Sequence, residues 1–427
     1  MLNKSQNKTS RISVFGLVAA IFIASVSIVS AGEINLLVDK LIDKNVLTAG
    51  EGQEILVLTK ENAKKELAKG ENESLPAWIQ KMSLGGDFRY RYQWEDQRSV
   101  VSGVPTTVDR TRERIRFRLK GDAKVNKNMG VAFGIATGNS SDSRSTNQTF
   151  DDNFSKKAIW LDYGYVYINL PFSTTLNLGR IPVKNAFWTA TDFLWDGDIN
   201  LDGIAFNYAK GNFFANAGRY NLKEVDNYSS KTAADAYLLN GQVGYKFSGL
   251  KSAINYFHYE NVYGYNGVTL TSLANSAKTN SNLRHRDFVL SSEYGLTDVL
   301  GFKKISLAGE YVVNTAIGGK SADGTVDYNY EKDGYIAALK FSNVEKIAGF
   351  GDWEASASFR DLGKEAFVDS YPDSDFYDGK TQVKGFEYVL NFGLTKNTVL
   401  GFDYYDATLR NGKNRQQILQ MDLNYKF

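Results

Sequence analysis

The end of the chain, QQILQMDLNYKF at positions 416–427, alternates between apolar and polar side chains. In an extended strand, successive side chains point to opposite faces. One face would carry Leu419, Met421, Leu423, Tyr425 and Phe427, and the other would carry Gln420, Asp422, Asn424 and Lys426. The stretch therefore predicts a strand that separates an apolar environment from an aqueous one.

The same alternation recurs from Trp78 onward, in segments separated by clusters of Gly, Asn, Asp and Ser. Sixteen such segments are centred on residues 82–92, 110–123, 129–137, 157–169, 174–181, 203–209, 213–220, 236–247, 251–260, 286–296, 303–314, 334–341, 352–362, 384–395, 398–408 and 416–427. Serial amphipathic strands of this length are typical of a transmembrane β-barrel. The sequence predicts an all-β fold, an antiparallel transmembrane barrel of sixteen strands over residues 77–427, with fourteen or eighteen strands and a soluble β-sandwich as alternatives.

The connectors between these segments alternate in length. The short ones are 125–128, 170–173, 210–212, 248–250 and 396–397, and the long ones include 93–109, 138–156, 182–202, 261–285 and 363–383. Short periplasmic turns and longer extracellular loops are the pattern of outer-membrane barrels. The exceptions are longer turns after Leu296 and Ser342 and a short last loop at 411–414.

Composition excludes most enzyme and metalloprotein classes. Cys is absent and the two histidines are His258 and His285, so thiolate sites, zinc centres and Ser-His-Asp catalysis lack their usual groups. Lys plus Arg (50) nearly equals Asp plus Glu (48), which provides no basic field for nucleic acid. We expect no catalytic residue, metal, cofactor or nucleic-acid partner. A barrel enzyme is the weaker alternative, because His285 lies between two arginines.

Two acidic stretches, 369–375 and 323–327, could offer oxygen ligands to calcium. Neither has the spacing of an EF-hand loop. We expect both to be solvated acidic loop tips.

The first residues predict a targeting segment. Lys4, Lys8 and Arg11 precede an apolar stretch over 14–29, and small residues follow at 30–31. We interpret residues 1–31 as a signal peptide, with an uncleaved anchor helix as the alternative. Its removal leaves a nearly neutral chain outside the cytoplasm.

Residues 32–76 predict a short periplasmic helical segment. Apolar residues recur at helical spacing over 33–45, and Thr48 with Glu51 forms a capping-box pattern before a second helix that ends near Gly70. A role in coiled-coil trimerisation or cell-wall tethering and a role as a plug or spacer both remain open.

Several motifs resemble those of a known family. The terminal Phe427, preceded by Tyr425, resembles the signal that the outer-membrane barrel-assembly machinery recognises. With LGRIP at 178–182, LWDGD at 194–198 and Asp202-Gly203, the chain resembles bacterial porins, specifically the putative-porin family with a helical segment before the barrel.

This resemblance implies a homotrimer in the outer membrane of a Gram-negative bacterium, in contact with its lipid, that passes small hydrophilic solutes by passive diffusion. The third extracellular loop, 182–202, would fold into the barrel as a constriction carrying Asp192, Asp196, Asp198 and Asp202. Phe187, Phe193 and Trp195 would anchor the loop more readily than they would form a sugar-stacking track. A structural or adhesive barrel with a blocked lumen is the alternative.

Arginines two residues apart predict a basic wall inside the barrel. Lipid disfavours cationic side chains on the outer face of a strand, so the arginines should face the lumen. The set comprises Arg89, Arg91, Arg112, Arg114, Arg116 and Arg118. We expect a weak anion preference, opposed by the loop aspartates. The alternative is that the arginines pair with Asp87, Glu113 or loop acids as structural contacts.

Overall fold

The computed structural model describes residues 38, 40–42, 48, 50–53, 55–58, 82–101, 104–224, 235–262, 284–319 and 327–427. The predicted signal peptide and most of the predicted helical segment lie outside these residues. The chain forms two compact units, Met1–Gln80 and Lys81–Phe427. Within the described ranges, no helix has both the length and the apolar character needed to cross a membrane.

The second unit is a closed antiparallel barrel of sixteen long strands. In chain order its strands are β1 (Met82–Val101), β2 (Val104–Asn126), β3 (Met129–Thr137), β4 (Gln148–Thr149), β5 (Ile159–Leu170), β6 (Thr174–Pro182), β7 (Asn200–Lys210), β8 (Phe213–Lys223), β9 (Ala236–Phe247), β10 (Leu250–Glu260), β11 (Arg286–Val299), β12 (Phe302–Asn314), β13 (Asp333–Ser342), β14 (Trp353–Leu362), β15 (Val383–Thr395), β16 (Thr398–Leu409) and β17 (Arg415–Lys426). The two-residue β4 lies within the second loop and pairs with β2. Pairing of β1 with β17 closes the barrel and confirms the predicted fold class and strand number.

Three short helices are described in the connectors of the barrel. Helix α1 (Val183–Ala186) follows β6, and two 3-10 helices occupy Tyr328–Tyr330 and Tyr377–Gly379. Two of these elements lie in the loops 183–199 and 363–382, which form the candidate site described below.

The two faces of the strands sort as their sequences predict. On β15, Phe386, Tyr388 and Leu390 are 46 %, 46 % and 43 % exposed on the outer face. On β17, Gln420 and Asp422 are buried on the inner face. Apolar side chains toward lipid and polar side chains toward a lumen satisfy both solvents of a membrane barrel.

The loop and turn predictions need two corrections. The predicted first loop, 93–109, is largely strand, because β1 and β2 continue to Val101 and Val104. The β-branched Thr106, Thr107 and Val108 favour this extended backbone. The turn predicted to be long after Leu296 is tight, since β11 ends at Val299 and β12 begins at Phe302. The turn over 343–352 is long, as predicted.

The first unit contains the predicted capping box. Thr48 donates its backbone N–H to Glu51 Oε2 over 2.8 Å, and Glu51 donates its own to Thr48 Oγ1 over 3.3 Å. Helical residues on either side of this cap approach closely at Gly52, where a Cβ would lie 2.6 Å from Ile42 Cδ1. Glycine permits this approach because it has no side chain.

Candidate pore constriction

The six predicted arginines share the inner face of β1 and β2. The strand register places Arg89 opposite Arg116 and Arg91 opposite Arg114, and directly opposed residues of an antiparallel pair lie on one side of the sheet. Tyr90, between Arg89 and Arg91, is 36 % exposed on the outer face. The arginines therefore line the lumen side of the wall.

Most of these arginines form ion pairs. Arg91 Nε lies 2.7 Å from Asp422 Oδ1 and its Nη1 lies 2.9 Å from Asp375 Oδ2. The other carboxylate contacts are Arg89–Asp422 at 3.1 Å, Arg112–Glu95 at 3.9 Å, Arg116–Asp87 at 2.9 Å, Arg118–Asp87 at 2.9 Å and Arg118–Asp198 at 3.2 Å. The arginines thus both face the lumen and hold the wall and loops together.

Two details of this pairing differ from the sequence prediction. Glu113 lies on the outer face, because it is adjacent to the inward Arg112 and Arg114 along β2. Arg114 has no carboxylate within 4.0 Å among the described residues, and it donates to Gln93 Oε1 and Ser145 Oγ over 3.4 Å each. The charge of Arg114 is therefore the least compensated in the wall.

The third loop, 183–199, folds into the barrel and is anchored by aromatic rings. Trp195 stacks on Tyr371 with ring centroids 4.7 Å apart, and Phe187 packs edge-on against Trp195 at 5.3 Å and against Phe257 of β10 at 5.1 Å. Phe187, Phe193 and Trp195 are all buried. Burial on this scale stabilises the packed loop and leaves little ring surface for a solute.

The four predicted constriction aspartates occupy different positions. Asp192 has a side chain 53 % exposed, 3.8 Å from the Arg360 guanidinium. Asp196 is buried and accepts backbone N–H groups from Asp198 at 3.0 Å and Ser374 at 2.9 Å. Asp198 accepts hydrogen bonds from Arg118 at 3.2 Å and from the Thr146 hydroxyl at 2.9 Å.

Asp202 is not a constriction residue. It belongs to β7 and shares the outer face with Ile204 and Phe206, which are 40 % and 45 % exposed. It pairs with Arg180 across the strand register at 2.8 Å. The period of two along a strand directs its side chain away from the lumen, so this prediction was wrong.

The sequence predicts a long loop at 363–383, but it did not predict that residues 363–382 fold into the barrel. Its acidic stretch was expected at a solvated tip, but Asp369 and Asp373 are buried and Asp375 pairs with Arg91. The loop carries apolar residues among its acids, including buried Phe367 and Val368. That run of apolar residues was the available signal, since a solvated loop tip has no reason to contain it. Residues 323–326 of the other acidic stretch lie outside the described residues.

Three loops are joined into one body, here called the three-loop plug (residues 138–158, 183–199 and 363–382). Arg144 Nη1 donates to the backbone carbonyls of Asp369, Pro372 and Gly379 over 3.5, 3.4 and 3.2 Å. The Asp196 backbone N–H donates to the Tyr371 carbonyl over 2.8 Å. Each loop therefore contacts the other two, because the second also binds the third through Thr146 and Asp198.

The pKa values of two plug acids, Asp196 and Asp375, shift in opposite directions. Burial raises the pKa of the Asp196 carboxyl above its ordinary 3.8, and repulsion from Asp198 adds to the effect. Burial also opposes ionisation of Asp375, but Arg91, Arg114 and Arg89 outweigh it and hold the pKa of Asp375 at about 2. Asp375 is consequently a fixed negative charge opposite the basic wall.

Three acidic oxygens converge beside the plug. Asp192, Asp373 and Glu387 each bring one carboxylate oxygen within 4.8 Å of the others. Arg360 donates to Asp373 over 3.3 Å and to Glu387 over 2.6 Å, so a guanidinium compensates the cluster.

Two polar cavities adjoin the plug on the side of the short turns. The larger, of about 460 Å³, has in its lining Arg118, Lys120, Tyr163, Tyr165, Lys184 and Asp198. The smaller, of about 340 Å³, has in its lining Thr191, Asp192, Lys304, Lys340, Ser358 and Glu387. Charges of both signs and hydroxyl groups make both cavities suited to water and small hydrophilic solutes.

Comparison with known proteins places the chain in a family. A family model described as "Putative porin" matches residues 96–292 and 282–427. No curated protein matches the chain. Among solved structures, a triple mutant of Rhodopseudomonas blastica porin matches with 10% identity and a TM-score of 0.46, covering 81% of this chain and 100% of that chain.

A five-substitution mutant of the same porin also has 10% identity, a TM-score of 0.46 and the same coverage. Similarity of this size carries no argument about function, whereas the family match spans most of the chain. The chain therefore belongs to the family described as "Putative porin" and is a porin-like channel of a bacterial outer membrane.

Proposed function

We propose that this protein is a water-filled passive diffusion channel for small hydrophilic solutes and ions in the outer membrane of a Gram-negative bacterium. The observation that carries the proposal is the closed barrel with an apolar outer face and an ionised inner face. An inner face of charged and hydroxyl-bearing residues would be costly in any interior that lacked water or paired partners. An inner face of this polarity is suited to water and small polar solutes.

The proposed channel is weakly anion-selective and homotrimeric. Support for the selectivity comes from Arg114, which has no carboxylate within 4.0 Å among the described residues. Paired aspartates and the acids of the plug keep the preference small. Support for the trimer comes from the porin resemblance of the sequence.

The proposal includes the route to the membrane. Residues 1–31 act as a signal peptide, residues 32–76 stay in the periplasm, and the barrel-assembly machinery recognises Tyr425 and Phe427. Phe427 lies beside the first strand, where its backbone N–H donates to Gly86 and its carbonyl accepts from Gly86. Lipid then contacts the apolar outer face.

Planar-bilayer recording of the purified protein tests the channel and the trimer together. We expect stable conductance steps in groups of three. Protein that stays soluble without detergent, or that inserts without conductance, would contradict the proposal.

A structural or adhesive barrel with a blocked lumen is the second candidate. The three-loop plug favours it, because Gln93, Gln420 and Arg91 on the inner wall are 0 %, 0 % and 2 % exposed. Liposome swelling with neutral sugars separates the two candidates. Swelling supports the diffusion channel, and its absence despite inserted barrels supports the blocked one.

A further inference from the structure

Resting on the proposed channel function, we propose that the loop 363–382 sets the width and charge of the passage jointly with the third loop, and that Asp375 is its passage-lining carboxylate. The sequence motifs assign this role to the third loop alone. The contacts between the two loops indicate that both loops line the constriction.

The loop 363–382 is held inside the barrel as firmly as the third loop. Phe367 and Val368 are fully buried, and Trp195 of the third loop packs on both Phe367, at 5.5 Å, and Tyr371, at 4.7 Å. Removing the loop 363–382 would take Phe367 and Tyr371 away from Trp195, and removing the third loop would take Trp195 away from both. The two loops therefore act as one body, and neither can set the opening alone.

Asp375 is the acid of this loop that is both ion-paired with the basic wall and partly accessible, whereas the more exposed Asp378 pairs with Lys380 at 3.2 Å. Its side chain is 24 % exposed and lies 2.9 Å from Arg91, whereas Asp369 and Asp373 are 1 % and 7 % exposed as residues. A solute that passes along the arginines of β1 and β2 meets Asp375 opposite them.

Asp196 cannot fill this role for the third loop. It is 8 % exposed and both of its described hydrogen bonds are to backbone N–H groups of the plug. It joins the third loop to Ser374, so its carboxylate serves the assembly of the plug. Of the third-loop acids, Asp192 is the one with an exposed side chain, and it lies beside Arg360 of β14.

Cysteine modification tests the proposal without interference, because the chain contains no cysteine. Asp375→Cys is made in the full chain, and its conductance is recorded before and after a bulky methanethiosulfonate reagent of positive or negative charge. We expect conductance to fall with either reagent on every modified channel. The positive reagent should also move the reversal potential further toward anions than the negative one.

Asp202→Cys is the matched control, since its side chain is accessible but lies on the outer face. Its modification should leave conductance and reversal potential unchanged. Asp192→Cys measures the contribution of the third loop. A response from Asp192→Cys with none from Asp375→Cys, when mass spectrometry shows both labelled, would return the constriction to the third loop alone and overturn the proposal.

Two outcomes are kept distinct. If the unmodified parent protein does not conduct, the channel function itself fails, whatever the variants do. If Asp375→Cys does not assemble, Ser374→Cys provides the readout, because the replaced hydroxyl makes one 3.2 Å hydrogen bond, to the Arg144 carbonyl. Labelled Ser374→Cys with parental conductance would then overturn the proposal.

Discussion

At the scale of single residues, the ion pairs decide which arginines can be changed safely. Arg116 and Arg118 both hold Asp87, so their loss would leave this buried carboxylate with Lys120 alone, at 3.9 Å. Breaking a buried pair in this way costs about 3–5 kcal/mol. Arg112 and Arg114 can be replaced with far less damage, because one is 3.9 Å from its acid and the other has no carboxylate within 4.0 Å in the described chain.

We therefore predict that Arg112→Gln with Arg114→Gln moves the reversal potential toward cations. Two positive charges leave the lumen while the side chains stay polar. The effect should weaken as the salt concentration rises, because the Debye screening length falls from about 10 Å at 0.1 M to about 3 Å at 1 M. Arg415→Gln, whose partner Asp406 is also outside the lumen, is the control. An unchanged reversal potential in the double variant would mean that the passage avoids this wall.

Asp196 predicts a pH response of the plug. Because its pKa is raised in the folded protein, the native state binds its proton more tightly than the unfolded chain. Protonation of Asp196 therefore stabilises the folded plug. This contribution is complete below the ordinary pKa of 3.8 and is lost as pH rises through the raised pKa.

We expect the reversal potential to move toward anions as pH falls through the raised pKa of Asp196, since the plug loses this negative charge while Asp375, with a pKa of about 2, keeps its own. The titratable groups near Asp196 are Asp198, Asp373 and Asp375, and the backbone N–H of Ser374 donates to its carboxylate. Reversal potentials of the parent and of Asp196→Asn, recorded over a series of pH values, check the prediction. If Asp196→Asn showed the same pH response as the parent, the response would come from other carboxylates.

At the scale of single elements, strand faces predict opposite responses at adjacent positions. Leu390 lies on the outer face of β15. The next residue, Asn391, lies on the inner face and donates a hydrogen bond to Glu354. Leu390→Arg should destabilise the barrel by about 2–4 kcal/mol, the cost of a lipid-facing arginine at the midplane. Asn391→Arg should cost much less. Equal losses in the free energy of unfolding of both variants in lipid would contradict the assigned faces.

At the scale of the whole molecule, the two units should be separable. The barrel closes through β1 and β17, and no described strand lies outside residues 82–426. Deleting residues 33–70 should therefore leave a heat-modifiable barrel in the outer membrane, detected by its electrophoretic mobility before and after boiling. Loss of all assembled barrel would show that the helical segment takes part in folding or trimer formation.

The strands, their faces and the capping box could be predicted from the sequence because each depends on residues that are close together along the chain. Successive side chains of a strand point to opposite faces. The pattern QMDLNYKF therefore predicts which side chains face lipid, wherever the strand lies in the sheet. The inward direction of the arginines followed in the same way, since lipid excludes them from the other face. Membrane barrels make this inference strong because the two faces meet opposite solvents.

The constriction depended on contacts that no local pattern contains. Arg91 meets Asp422 across 331 positions of sequence and Asp375 across 284, and such pairs exist only once the barrel closes and the loops fold inward. The inserted loop 363–382 was misread for this reason, because acids that look solvated in sequence become partners of arginines on distant strands. Asp202 was misplaced because a motif gives a residue's neighbours along the chain, whereas the strand register decides which solvent its side chain faces.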